Sequence, residues 1–143
     1  MGDANLDADC IFCKIIRGEI PSFKLFEDDS VLAFMDINPV NPGHSLVIPK
    51  FHTPNIFEAP PEWAAVTING VQRLARAVEK TVSPDGINIL QANGPGAAQS
   101  VFHLHMHVVP RKNGDELSMN WGIRPGDMAE IEALAADIRA NLD

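Results

Sequence analysis

Apolar positions along the chain fall into short runs with strand-like alternation and two longer runs with helical spacing, separated by turn residues. Residues 24–27 and 31–36 read as two strands joined by the acidic turn Asp28-Asp29-Ser30. The loop Asn38-Pro39-Val40-Asn41-Pro42-Gly43 then delivers His44 to the head of an apolar strand at 45–48. Pro60 and Pro61 open a long helix ending near Val82, with Trp63, Val66, Gly70, Leu74 and Val78 at helical spacing. Ser83-Pro84-Asp85-Gly86 stops it, and 87–91 is the next strand. A small-residue loop, Asn93-Gly94-Pro95-Gly96-Ala97-Ala98, leads into His103-Leu104-His105-Met106-His107. After the break Pro125-Gly126-Asp127, a final helix carries Ile131, Leu134, Ala135, Ile138 and Leu142 on one stripe. Near the start, Asp9 is placed to cap a short helix over 10–17, with Gly18 just past its end.

Strands, a long helix, more strands and a last helix, joined by short turns, predict an α+β domain. The expectation is an antiparallel sheet of about five strands with the long helix packed on one face. The short N-terminal helix and the C-terminal helix flank it. A single domain spans 1–143, with 1–8 as a flexible N-terminus and 113–143 as a variable tail.

Composition narrows the function classes. At 143 residues and 45% hydrophobic, the chain can build one proper core. A formal net charge of -8 argues against a broad basic surface, so no nucleic-acid partner is expected. With no secretory leader and no apolar run long enough to span a bilayer, a cytoplasmic protein without a membrane partner is expected. The two cysteines, Cys10 and Cys13, form one Cys-x-x-Cys, which in a reducing compartment suggests a metal site or a redox pair.

The histidine run carries the chemistry. In an extended strand His103, His105 and His107 share one face at intervals of roughly 6–7 Å, while Leu104, Met106 and Val108 face a core. Such a row can bind a metal, bind a phosphate or attack one. The compact loop at 96–100, with Ala98, Gln99 and Ser100, offers backbone N–H groups for phosphate oxygens.

His103-x-His105-x-His107 followed by Val108-Val109 resembles the signature of the histidine triad superfamily. The resemblance extends through Cys10-Ile11-Phe12-Cys13-Lys14-Ile15-Ile16, Gly18-Glu19-Ile20-Pro21, Phe34-x-Asp36-Ile37 and Gly43-His44-x-Leu46-Val47-Ile48-Pro49-Lys50-x-His52, covering roughly residues 9 to 112. The branch it is most similar to is the nucleoside phosphoramidate hydrolases, in their bacterial, cysteine-containing form.

The resemblance implies a division of labour. His105 matches the nucleophile, which would form a nucleotidyl-imidazole that water then cleaves. His107 and His44 match imidazoles that contact the phosphate, and Ser100 a hydroxyl near the leaving group. Asp36 matches the acceptor of the ribose hydroxyls. Phe34 and Ile37, with Ile11, Phe12 and Ile15, match the apolar clamp on a purine base. Asn93 is placed to meet the sugar from beside Ala92, where the branch usually carries asparagine. Cys10, Cys13, His52 and His103 match a zinc set, whose two thiolates and two imidazoles make a closed, structural site. A homodimer is also implied. Trp121 is not at the spacing of the C-terminal tryptophan of the animal members.

The activity expected is attack at the α-phosphorus of purine nucleoside phosphoramidates or related nucleotidyl compounds. Dinucleoside polyphosphate hydrolysis uses the same attack with another leaving group. A nucleotide- or zinc-binding module with incidental catalysis is the rival from another class. A cupin-like use of the three histidines as ligands would need neither Asp36-Ile37 nor Gly43-His44.

Overall fold

Strands β1 (Lys24–Glu27) and β2 (Val31–Met35) form a hairpin in which one carboxylate oxygen of Asp28 accepts the N–H groups of Ser30 and Val31. Local hydrogen bonding of this kind is why Asp favours such turns. A computed structural model describes residues 5–117 and 123–142; Trp121 and residues 1–4 lie outside them. The remaining elements are α1 (Ile11–Ile16), β3 (Ser45–Pro49), α2 (Pro61–Val82), β4 (Gly86–Leu90), β5 (Met106–Arg111) and α3 (Met128–Ala140). All strands pair antiparallel in the order β1-β2-β3-β5-β4, so β5 lies inside the sheet. The fold is α+β, as expected. Among the described residues no helix is long and apolar enough to cross a membrane.

The sheet's two faces have different tasks. Val31, Ala33, Val47, Met106 and Val108 pack on α2 through Val71, Leu74 and Val78. Gly70 lets α2 approach closely, since a Cβ there would stand 3.0 Å from Val47 and 3.2 Å from Val31. The opposite face gathers Leu32, Phe34, Leu46 and Ile48 with Phe12 of α1. His107, opposite Leu46 on β3 and Leu90 on β4, belongs to this second face.

Three local expectations change. Helix α1 begins after Cys10, whose backbone occupies the cap position without a side-chain cap bond; Asp9 does not cap it. Residues 5–8 are tied down: the carbonyl of Asn5 accepts the His52 N–H at 2.7 Å, and the Asp7 N–H points at Cys13 Sγ at 3.3 Å. The histidine row is not one strand, because β5 starts at Met106. Pro49 on β3 has no N–H to extend the ladder, and its carbonyl accepts the His103 ring N–H instead. Leu104 meanwhile donates to the Thr53 carbonyl at 2.7 Å, drawing the chain away from β3.

Candidate active site

His105 is fixed by its own backbone neighbourhood. Its Nδ1 lies 2.6 Å from the His103 carbonyl oxygen, which can only accept, so Nδ1 carries the hydrogen. The lone pair therefore sits on Nε2, which has no hydrogen-bond partner among the described residues. Phe12 packs edge-on against the ring at 5.1 Å. Burial holds the His105 pKa below the ordinary imidazole range, despite the opposing pull of the carbonyl and Asp36.

His44 and His107 form a second fixed unit. The Val40 N–H points at His44 Nδ1 at 3.2 Å, so that nitrogen is an acceptor and the hydrogen sits on Nε2. His44 Nε2 lies 2.8 Å from His107 Nδ1 and 3.4 Å from Asp36 Oδ2. His107 Nδ1 must then accept, which places the His107 hydrogen on Nε2. Burial lowers both pKa values, that of His107 to about 4 with the help of the neighbouring His105 and His44. At neutral pH the three rings are uncharged, one offering a lone pair and another an N–H.

A cavity of about 250 Å³ opens beside this unit. Phe34 and Phe12, stacked edge to face at 5.5 Å, form its buried floor, while Ile37 and Ile11 stand exposed on its rim. Asp36, Ser100, His105 and His107 line the same space. One Asp36 oxygen accepts the Asn38 N–H at 2.8 Å, which aims the carboxylate. Asp36, Ile37, Phe34, Ser100, His105 and His107 thus come together around one opening.

Beyond His44 and His107 lies a second cavity of about 380 Å³, walled by Val40, Leu90, Val109 and Leu117, with Ala97 and Ala98 at its edge. Among the described residues no Lys or Arg lines it, and sequence reasoning did not find it. Its residues come from five separate segments, so no local pattern marks them.

The loop at 93–99 departs from expectation. The N–H groups of Ala97, Ala98 and Gln99 turn inward to the carbonyls of Gly94 and Pro95, so they cannot cradle a phosphate. Gln99 is an internal brace: its amide accepts from Gly94 and donates to the carbonyls of Pro54 and Val101. Asn93 is not brought to either cavity; its amide pairs with Gln91 and accepts the Ile56 N–H. Ala98 contributes only its small size to the second cavity.

Cys10, Cys13, His52 and His103 converge, with one ligand atom from each lying within 4.8 Å of the others. His103 donates from Nε2 to the Pro49 carbonyl at 2.9 Å, so its Nδ1 lone pair faces both sulfurs at 3.5 Å. Burial lowers the His103 pKa to about 4, keeping that lone pair free, and pushes the Cys13 thiol up to about 11. A bound metal would displace the thiol protons. Two thiols and two correctly turned imidazoles fit zinc, with no position left open for catalysis. The ion would join α1, the end of β3 and the lead-in to β5.

Comparison with known proteins agrees with this architecture. A family model for the HIT domain matches residues 17–114. The chain is 45% identical over 142 residues to adenylylsulfatase HINT3 of Arabidopsis thaliana, covering 97% of this chain and 72% of that protein. It is 40% identical over 141 residues to adenosine 5'-monophosphoramidase HNT1 of Saccharomyces cerevisiae, covering 98% and 87%. Among solved structures, SMU.412c from Streptococcus mutans UA159 superposes with a TM-score of 0.93 at 41% identity, over 98% of this chain and 89% of that one. A zinc-bound histidine triad family protein from Mycobacterium smegmatis gives 0.73 at 40% identity, over 94% and 98%. The chain belongs to the HIT, or histidine triad, family.

Proposed function

We propose that this protein hydrolyses purine nucleoside phosphoramidates at the α-phosphorus. The observation that carries the reading is His105, whose Nδ1–H is held by the His103 carbonyl while Nε2 faces the cavity unpartnered. The base enters the apolar cavity over Phe34 and Phe12, between Ile37 and Ile11, and Asp36 accepts the ribose hydroxyls. His105 Nε2 attacks phosphorus, the P–N bond breaks, and the amine leaves with the electron pair, taking from solvent a proton that the water of the second step returns. Water then cleaves the nucleotidyl-His105, releasing a nucleoside monophosphate and restoring the imidazole. His107 Nε2–H donates to a non-bridging oxygen as charge gathers there. The activity named for the Saccharomyces cerevisiae relative supports this substrate class.

Dinucleoside polyphosphates would be attacked in the same way. Their leaving group is polyanionic, and the cavity beyond His107 has apolar walls and, among the described residues, no Lys or Arg, which favours an amine. The test is a panel of adenosine phosphoramidate, diadenosine polyphosphates and an aminoacyl adenylate, ranked by kcat/KM. His105→Ala should lower turnover of the preferred substrate by at least about 10⁴-fold while AMP binding persists. Unchanged turnover would remove His105 from the mechanism.

Zinc in the Cys10, Cys13, His52 and His103 set belongs to the same reading. The donor chemistry and the zinc-bound relative support it. Purified protein should hold about one zinc per chain, lost in Cys10→Ser together with a fall in melting temperature. A homodimer completes the reading, supported by the exposed Ile131, Leu134 and Ile138 of α3. Light scattering should return twice the 15.6 kDa of one chain.

A further inference from the structure

We propose that Asp7 is a positioning residue for the zinc ligand His52, and that the segment before α1 thereby acts as a clasp on the metal. The inference rests on the zinc reading above. Its starting point is an asymmetry between the two histidine ligands. His103 has its second nitrogen bonded to the Pro49 carbonyl, deep in the fold. His52 is more exposed, and the acceptor facing its second nitrogen is the Asp7 carboxylate, with Oδ2 at 3.8 Å from Nε2. An imidazole that coordinates through Nδ1 needs an acceptor at Nε2 to hold the required tautomer and ring angle. His52 Nδ1 is the nitrogen that faces Cys13 Sγ, at 3.5 Å.

Asp7 also reaches the site through its backbone. Its N–H points at Cys13 Sγ at 3.3 Å, and such a donor stabilises a thiolate. Its carbonyl accepts the Cys10 N–H at 3.4 Å and Arg17 Nη2 at 3.5 Å. Its other carboxylate oxygen accepts the Asp9 N–H at 2.7 Å, closing a turn that aims Oδ2 at His52. One residue upstream of the cysteine pair thus touches both cysteines and one histidine of the set.

The substitution Asp7→Asn separates these roles. Asn keeps an oxygen for the Asp9 N–H, preserving the turn, but presents an NH₂ group to the His52 N–H. Zinc affinity is measured by competition with a chromophoric chelator on the full-length protein, with Asp9→Asn as control. The expected result is about 10–100-fold weaker zinc binding in Asp7→Asn. The control should match wild type, and the melting temperature of metal-free protein should be the same in all three. Asp7→Asn binding zinc as tightly as wild type overturns the role of Asp7 while leaving the zinc site standing. Equal loss of melting temperature in the metal-free variant would reduce Asp7 to a folding contact and overturn the proposal as well. A wild type that takes up no zinc removes both readings.

Discussion

His44 Nε2 lies 2.8 Å from His107 Nδ1, and the Val40 N–H closes the chain at His44 Nδ1. Both nitrogens of His44 are therefore spent inside the protein, so in the proposed reaction it would act on the phosphate through His107, not by touching it. His44→Phe keeps an aromatic ring and removes the donor. It should lower kcat by about 10²-fold while changing AMP affinity less than about threefold. Single-turnover rates and calorimetric AMP titration check this. A loss of AMP affinity as large as the loss of kcat would show direct contact between His44 and phosphate.

Acid should reveal how dry the histidine cluster is. Burial lowers the pKa values of His44, His105 and His107, the last to about 4. The His105 lone pair and the uncharged pair His44 and His107 then survive below the ordinary imidazole value of about 6.5. The kcat/KM profile should stay flat through the ordinary imidazole value and fall only on its acid side. Stability follows the same groups with a defined sign. A histidine that titrates near 6.5 when unfolded and lower when folded binds more protons in the unfolded state across that interval. Melting temperature should therefore decline as pH falls from about 6.5 towards 4, on account of His107. Half-maximal activity near pH 6.5 would contradict the burial argument.

Legibility in the sequence followed the range of the interactions. The hairpin of β1 and β2 was readable because Asp28 bonds its own near neighbours, and α2 because its apolar stripe and its opening prolines are local signals. The strand limits of the histidine run were not, since they depend on Pro49, 54 positions from His103, accepting a ring N–H. The loop at 93–99 looked like an anion cradle from its small residues, but its N–H groups close a tight 3₁₀ turn at Pro95–Ala97. Val40, Pro49 and Asp7 serve the site through a backbone N–H, a carbonyl and a carboxylate brought in by folding. No spacing rule flags such groups.

Gly70 should resist substitution although it lies in the middle of a helix. Replacing glycine by alanine in a helix is worth about 1 kcal/mol on propensity alone. Against that, the new Cβ would meet Val47 at 3.0 Å and Val31 at 3.2 Å, and both residues are buried on the sheet. Overpacking of this kind costs about 1–3 kcal/mol, so the net effect of Gly70→Ala is a loss of about 1 kcal/mol. Urea denaturation should show a lower midpoint at unchanged slope. A higher midpoint would mean that α2 can lift from the sheet more easily than the packing suggests.

The apolar cavity beyond His107 gives a prediction about leaving groups that can be tested by adding function instead of removing it. Leu117 lines that cavity, and its backbone is pinned by the Asp115 carboxylate at 3.2 Å and by Arg111 Nη2 at 2.6 Å. Its side chain can therefore be exchanged while those anchors hold. Leu117→Arg places a cation where a polyphosphate would depart and an apolar amine would lose contact. A gain of about 1.4 kcal/mol for the polyanion corresponds to a tenfold change. The ratio of kcat/KM for diadenosine triphosphate to that for adenosine phosphoramidate should rise about tenfold at low salt, and the rise should shrink as salt screens the new charge. A ratio that does not move would show that the leaving group exits by another path, and the cavity would lose its place in the reaction.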